Sequence, residues 1–177
     1  MGKGRLLLIS LLGLCVLIVI CTIWDNYRIK VVEQEIEIEN LPQEFEGFKI
    51  LQISDLHEKT FGYKQERLIR RINSINYDII ALTGDLLGNA DSQNYSPTYD
   101  LLDGINNKEH ILFVPGNTDP MPYVVNSDQS ISKNPFLLGM EGRGVQLLDS
   151  VYTVDKKNAS INFVKFDLSN LGPASQL

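Results

Sequence analysis

The chain is short of several features that decide function elsewhere. Its 177 residues include two cysteines, Cys15 and Cys21, and both lie in an N-terminal apolar stretch. The remainder can therefore form neither a disulfide nor a thiolate metal site. There are two histidines, His57 and His110, so imidazole ligands are scarce. There is no surplus of positive charge: 16 Lys and Arg against 22 Asp and Glu give a net charge of −6. That balance argues against nucleic acid as a partner, because phosphate backbones select for Lys and Arg clusters. It does not argue against a phosphoester substrate, since bound divalent cations would dominate the local field. No apolar run is followed by the Gly-rich loop of a P-loop or dinucleotide fingerprint. No internal repeat or low-complexity tract is visible, and the length suits one domain with a real core.

What the chain does have begins with a long apolar run. Leu6 to Trp24 carries no charge. About 19 residues rising about 1.5 Å each just span a hydrocarbon core. Lys3 and Arg5 precede the run, and Trp24 and Tyr27 stand where interfacial aromatics would. A cleavable signal is the competing reading, but no small-x-small site precedes Asp25. The reading is an uncleaved anchor over 1–25 and one domain over 26–177. Lys3 and Arg5 are matched by Arg28 and Lys30, so charge counting leaves orientation tied, and the free amino terminus tips it toward the inside.

Val31 to Glu39 alternates apolar and acidic residues from Glu35 and reads as a half-exposed edge strand. Lys49–Ile53, Ile79–Leu82 and Ile111–Val114 read as buried strands of a parallel sheet. Tyr63–Ile75 reads as a covering helix, with Leu68, Ile72 and Ile75 on one face and a solvated cationic face opposite. Pro97–Ile105 reads as a second helix. Strand and helix in alternation give crossovers and an α/β fold. The polar run Asn126–Asn134 reads as a long loop, followed by a short helix at Pro135–Met140. Val145–Leu148, Val151–Val154 and Ile161–Phe166 read as strands of a second sheet, with a hairpin turn at Lys156–Asn158.

Each of the three buried strands ends in a polar signature. Ser54-Asp55-Leu56-His57 follows the first, Thr83-Gly84-Asp85 the second, and Pro115-Gly116-Asn117-Thr118-Asp119 the third. Ligands of open α/β sheets gather beyond the carboxyl ends of the strands. Asp55, His57, Asp85 and Asn117 should therefore meet on one rim. Two carboxylates, an imidazole and an amide oxygen suit manganese, iron, zinc or magnesium. Two such ions can hold a phosphate ester and activate a hydroxide, with Asp85 shared between them. The plainer readings are turn roles: Asp55 as a strand-end cap, Asp85 as a turn residue after Gly84, and Asn117 in a left-handed turn. Asp119 reads as a turn residue or as one that orients a ligand. His110 reads as an ordinary structural histidine.

Asp-x-His, Gly-Asp and Gly-Asn-x-Asp, in order and each after a strand, resemble the first three metal motifs of the calcineurin-like metallophosphoesterase superfamily. The anchor, the alternating strand and the Leu41-Pro42 turn resemble its membrane-anchored branch. The resemblance covers about Asn26 to Asp167. It implies an α/β fold, the N-terminal part of a four-layer αββα sandwich behind one transmembrane helix. It implies a phosphate-ester substrate, two divalent metal ions on Asp55, His57, Asp85 and Asn117, and catalytic roles for Asn117 and Thr118. It also implies a single-pass protein of the cell membrane with an extracytoplasmic catalytic domain. Two departures stand out. Thr118 occupies the position of a family histidine, and its hydroxyl cannot serve as a proton donor near neutral pH. The family's later histidine and Gly-His-x-His motif have no counterpart after His110. The expectation is a chain cut short at its C-terminus. The alternative is a non-catalytic, membrane-tethered remnant or binding domain of the same fold.

Overall fold

A computed structural model describes residues 2–166. The chain divides into two units, Met1–Glu37 and Ile38–Leu177. The first holds helix α1 (Lys3–Tyr27), 25 residues that include the uncharged run from Leu6 to Trp24. Leu8, Leu12 and Trp24 are among its exposed side chains. Among the described residues no helix is long and apolar enough to cross a membrane. The expected edge strand is absent: residues 31–38 take no regular structure, and Val32 and Ile36 are exposed. Alternation alone does not make a strand without a neighbour to pair with.

The second unit is built on four parallel strands in the order β1-β2-β3-β6. These are β1 (Ile50–Ile53), β2 (Ile79–Leu82), β3 (Ile111–Phe113) and β6 (Val145–Leu147). β2 and β3 are buried along almost their whole length, as expected of central strands. β1 is an edge strand, so Ile50 and Gln52 face solvent, which corrects the expectation of a fully buried first strand. The crossovers carry α2 (Glu66–Asn73), α3 (Ser96–Gly104) and α4 (Pro135–Glu141). α2 begins three residues later than expected. Lys64 and Gln65 are left-handed, and the fully buried Gln65 amide ties Lys59 O, Pro97 O and Phe61 N together. α4 starts on an Asn134 side-chain cap of the Phe136 N–H.

Alternation along the strands separates the two faces. Ile80 and Leu82 pair with Ile111 and Phe113, and Phe113 meets Phe136 of α4 edge-on, so this face carries the helices. The opposite face presents Ile79 and Leu112 to Phe45, Leu148 and Val154. Val154 comes from a hairpin of β7 (Tyr152–Lys156) and β8 (Ala159–Phe163). This hairpin was expected, turn included. Val145–Leu147, expected in that second sheet, instead joins β3 in parallel. α4 supplies the crossover that lets it do so. The expected loop at 126–134 is partly a hairpin, β4 (Tyr123–Val125) with β5 (Ile131–Lys133). The end of the expected domain, 167–177, lies outside the described residues.

Candidate metal centre

The site forms where β1, β2 and β3 run out. Beyond the strands the ladder continues in the loops. Asp55 N donates to Gly84 O, His57 N to Asp85 O, and Glu58 N to Leu86 O, at 3.1, 3.0 and 2.9 Å. To keep that spacing through a turn the chain enters left-handed backbone. Asp55, His57, Glu58 and Asp85 all have φ between 44° and 60°. Left-handed non-glycine residues cost energy, and such outliers concentrate at functional sites. Asn117 is not among them, so its proposed left-handed turn is not what the structure shows.

The second and third loops touch backbone to backbone. A Cβ on Gly84 would lie 2.3 Å from Gly116 N, and one on Gly116 would lie 2.3 Å from Asp85 Oδ1. Both glycines of the two motifs are therefore required by close approach. Asp119, buried, fastens the pair. Its Oδ2 accepts from Asp85 N and Gly116 N at 2.8 and 2.9 Å, and its Oδ1 from Leu86 N and Leu87 N at 2.9 and 3.1 Å. Sequence reasoning gave Asp119 a turn role or that of orienting a ligand; the structure shows it holding four backbone N–H groups of the two loops.

This scaffold brings Asp55, His57 and Asp85 together, with one ligand atom of each within 4.8 Å of the others. His57 Nδ1 lies 3.3 Å from Leu87 O. A carbonyl can only accept, so this contact is made by an Nδ1–H, and Nε2 lies on the side of Asp55, 3.8 Å from its Oδ1. Ser54 Oγ donates to Asp55 Oδ2. Asp85 Oδ1 accepts from Thr118 N at 2.9 Å and Thr118 Oγ1 at 3.0 Å. The Thr118 N–H does most to hold the Asp85 carboxyl below its ordinary value; burial, the next largest effect, opposes it, and the Thr118 hydroxyl and the Asn117 N–H add smaller contributions. Thr118 Oγ1 also reaches Leu87 O at 2.8 Å, so its one proton is directed at protein oxygens. Asn117 is on the same rim: its backbone N–H faces Asp85 and its side chain is exposed. His110 stands apart, with Nδ1 2.7 Å from Tyr152 Oη.

Sequence reading missed Glu58 and the Leu87 carbonyl. The Glu58 carboxylate accepts from Gly88 N at 2.9 Å and Asn94 Nδ2 at 3.0 Å. The Ser92 hydroxyl, then Gly88 and Asn94, hold it below the ordinary range. Its place beside Asp-x-His was the available signal. A carbonyl carries no signal, because every residue has one.

The donor set fits a divalent cation of hard or borderline character: two carboxylate oxygens and an imidazole nitrogen, on the open side of the rim. Residues 48–172 match the family described as calcineurin-like phosphoesterase. Over 98 residues, 54% of the chain, it is 32% identical to an uncharacterized metallophosphoesterase, YkuE, of Bacillus subtilis (strain 168). Over 59 residues, 32% of the chain, it is 37% identical to a transmembrane protein with metallophosphoesterase domain of Danio rerio. These stretches span 34% and 14% of the two relatives, respectively. No solved structure matches the chain.

Proposed function

The chain belongs to the calcineurin-like phosphoesterase family, and from that premise we propose that it hydrolyses a phosphate ester at the Asp55–His57–Asp85 cluster. The observation that carries the reading is the convergence of these three ligand atoms within 4.8 Å. Asp55, His57 Nε2 and Asp85 would hold one divalent ion. Asp85 and the Asn117 side chain would hold a second. Bound metals would supply the positive charge that holds a phosphate and lower the pKa of water. The protein's own part is orientation. Thr118 fixes Asp85, the Leu87 carbonyl fixes the tautomer of His57, and Asp119 fixes the loops that carry Asp85 and Gly116. Manganese, iron, zinc and magnesium all suit the donors.

The test is Asp85→Asn. The wild-type chain should hydrolyse bis-p-nitrophenyl phosphate when manganese or zinc is added. The variant should lose about 100-fold or more of that rate, since it removes a ligand charge. Unchanged turnover in Asp85→Asn would sink the proposal. A second reading has its own observation: the Thr118 hydroxyl is committed to Asp85 and Leu87. On that reading the domain binds metal without hydrolysing, and wild-type metal binding with no turnover would favour it.

α1 would anchor the chain in the cell membrane by one pass, with the domain outside the cytoplasm. The uncharged run Leu6–Trp24, helical within α1, supports an anchor. So does the name of the Danio relative, which calls that protein transmembrane. Extraction by carbonate at high pH would count against an anchor. Protection of the domain from protease added to intact cells would count against the orientation.

A further inference from the structure

We propose that Glu58 is a positioning residue that orients His57 as a metal ligand through the Leu87–Gly88 peptide group. The inference rests on the metal-site reading above and concerns a residue outside the ligand set. One peptide plane, Leu87–Gly88, joins the two side chains. The carbonyl of that plane, Leu87 O, accepts from His57 Nδ1 at 3.3 Å and from Thr118 Oγ1 at 2.8 Å. The N–H of the same plane, on Gly88, donates to Glu58 Oε1 at 2.9 Å. Conjugation couples the two ends of a peptide group. A carboxylate on the N–H pushes electron density toward the carbonyl oxygen, which becomes a better acceptor. Such cooperativity is about 10–30% per bond. A better acceptor at Leu87 O keeps the His57 proton on Nδ1 and so leaves the Nε2 lone pair for a cation. A carboxylate that contacts a ligand histidine directly does the same thing. Here the peptide relays it.

The backbone is built to make this reach possible. His57 and Glu58 are left-handed in succession, with φ of 44° and 60°. Their own N–H groups are fixed on Asp85 O and Leu86 O. The imidazole and the carboxylate thus grip opposite ends of one peptide. Gly88 suits the approach, because a Cβ there would stand 3.2 Å from Glu58 Oε1. The second carboxylate oxygen, Oε2, takes Asn94 Nδ2 at 3.0 Å. That bond can be removed without touching the Gly88 bond.

The experiment uses the full chain in detergent and three variants: Glu58→Ala, Glu58→Gln and Asn94→Ala. Nitrogen-15 NMR of the metal-free protein, with the imidazole neutral, reads the His57 tautomer. Calorimetry with zinc alone reads affinity. Wild type should be protonated at Nδ1. Glu58→Ala should give mixed tautomers and zinc affinity about 10–100-fold weaker. Glu58→Gln should fall between, because its amide oxygen still accepts from Gly88 without the charge. Asn94→Ala should match wild type. An unchanged tautomer and affinity in Glu58→Ala would overturn the inference. So would an Asn94→Ala variant as impaired as Glu58→Ala, because the 88–94 loop would then carry the effect. If wild type bound no zinc, the metal-site reading would fall. The tautomer comparison in metal-free protein would still decide the role of Glu58.

Discussion

Replacing Asp119 by asparagine should damage this protein more than the similar shapes of the two side chains suggest. Each carboxylate oxygen of Asp119 serves two N–H donors: Leu86 and Leu87 on Oδ1, Asp85 and Gly116 on Oδ2. Asparagine keeps one acceptor oxygen and replaces the other with an NH2. Whichever way it flips, that NH2 faces two N–H groups. The better choice puts the oxygen on the buried Leu86 and Leu87 donors and sacrifices Asp85 and Gly116. Charge-assisted bonds contribute about 1.5–3 kcal/mol each. Because the sacrificed donors are only partly buried, water recovers some of this, leaving a cost of about 2–4 kcal/mol. That is a large part of the roughly 5–15 kcal/mol that holds a domain together. Urea unfolding should be followed by near-UV circular dichroism of the tyrosines. Tryptophan fluorescence would miss the domain, since Trp24 in α1 is the sole tryptophan. With a slope of about 2 kcal/mol per molar urea, the midpoint should fall by about 1–2 M. A shift under about 0.25 M would refute the reasoning, because it would mean these N–H groups find equal partners without the carboxylate.

Gly116→Ala should weaken zinc binding in calorimetry and destabilise by about 1–3 kcal/mol, since its Cβ would stand 2.3 Å from Asp85 Oδ1. Gly84→Ala should be worse, because it adds a left-handed φ of 91° to a 2.3 Å approach on Gly116 N. Phe45→Ala, emptying a fully buried site between the parallel sheet and the β7–β8 hairpin, should cost about 3–5 kcal/mol in urea unfolding. Glu58→Gln should show a pH-dependent deficit. A carboxyl held below its ordinary 4.5 in the fold contributes stability above that pH and loses it as pH falls through the depressed value. The variant should therefore be less stable than wild type at neutral pH, with the gap closing as the solution is acidified below 4.5; a constant gap would exclude the ionic contribution.

The central sheet was legible because β2 and β3 are buried on both faces. Ile79–Leu82 and Ile111–Phe113 then have to be apolar throughout, and the run announces the strand. Legibility fails at the edges, where burial stops dictating composition. β1 is half exposed and was read as buried. Residues 35–39 alternate well and form no strand, since pattern records which face a strand would bury and not whether a neighbour exists. Val145–Leu147 has a strand's composition in either sheet. Which sheet it joins depends on α4, whose length and packing against Phe113 carry the chain back beside β3.

The same boundary runs through the candidate metal centre. Residue types betray the atoms that would face a cation, because only Asp, His and their like can offer them. They do not betray the layer behind. There the acting groups are main-chain: the Leu87 carbonyl that sets His57, the Asp85 and Gly116 N–H groups held by Asp119, and the Gly88 N–H held by Glu58. Any residue could supply them, so their choice is free and their position is everything. What the sequence must specify instead is the backbone that delivers them. It does so through two glycines where the loops touch, and through left-handed Asp55, His57, Glu58 and Asp85 where the ladder turns. Left-handed backbone is uncommon at aspartate and rarer at glutamate, so four such residues within two loops are held there by contacts that outweigh their own preferences. The geometry of the candidate ligands is therefore a property of the loops' mutual hydrogen bonds more than of the side chains themselves. Removing Asp119 or Glu58 should consequently disturb metal binding while every ligand remains in the sequence.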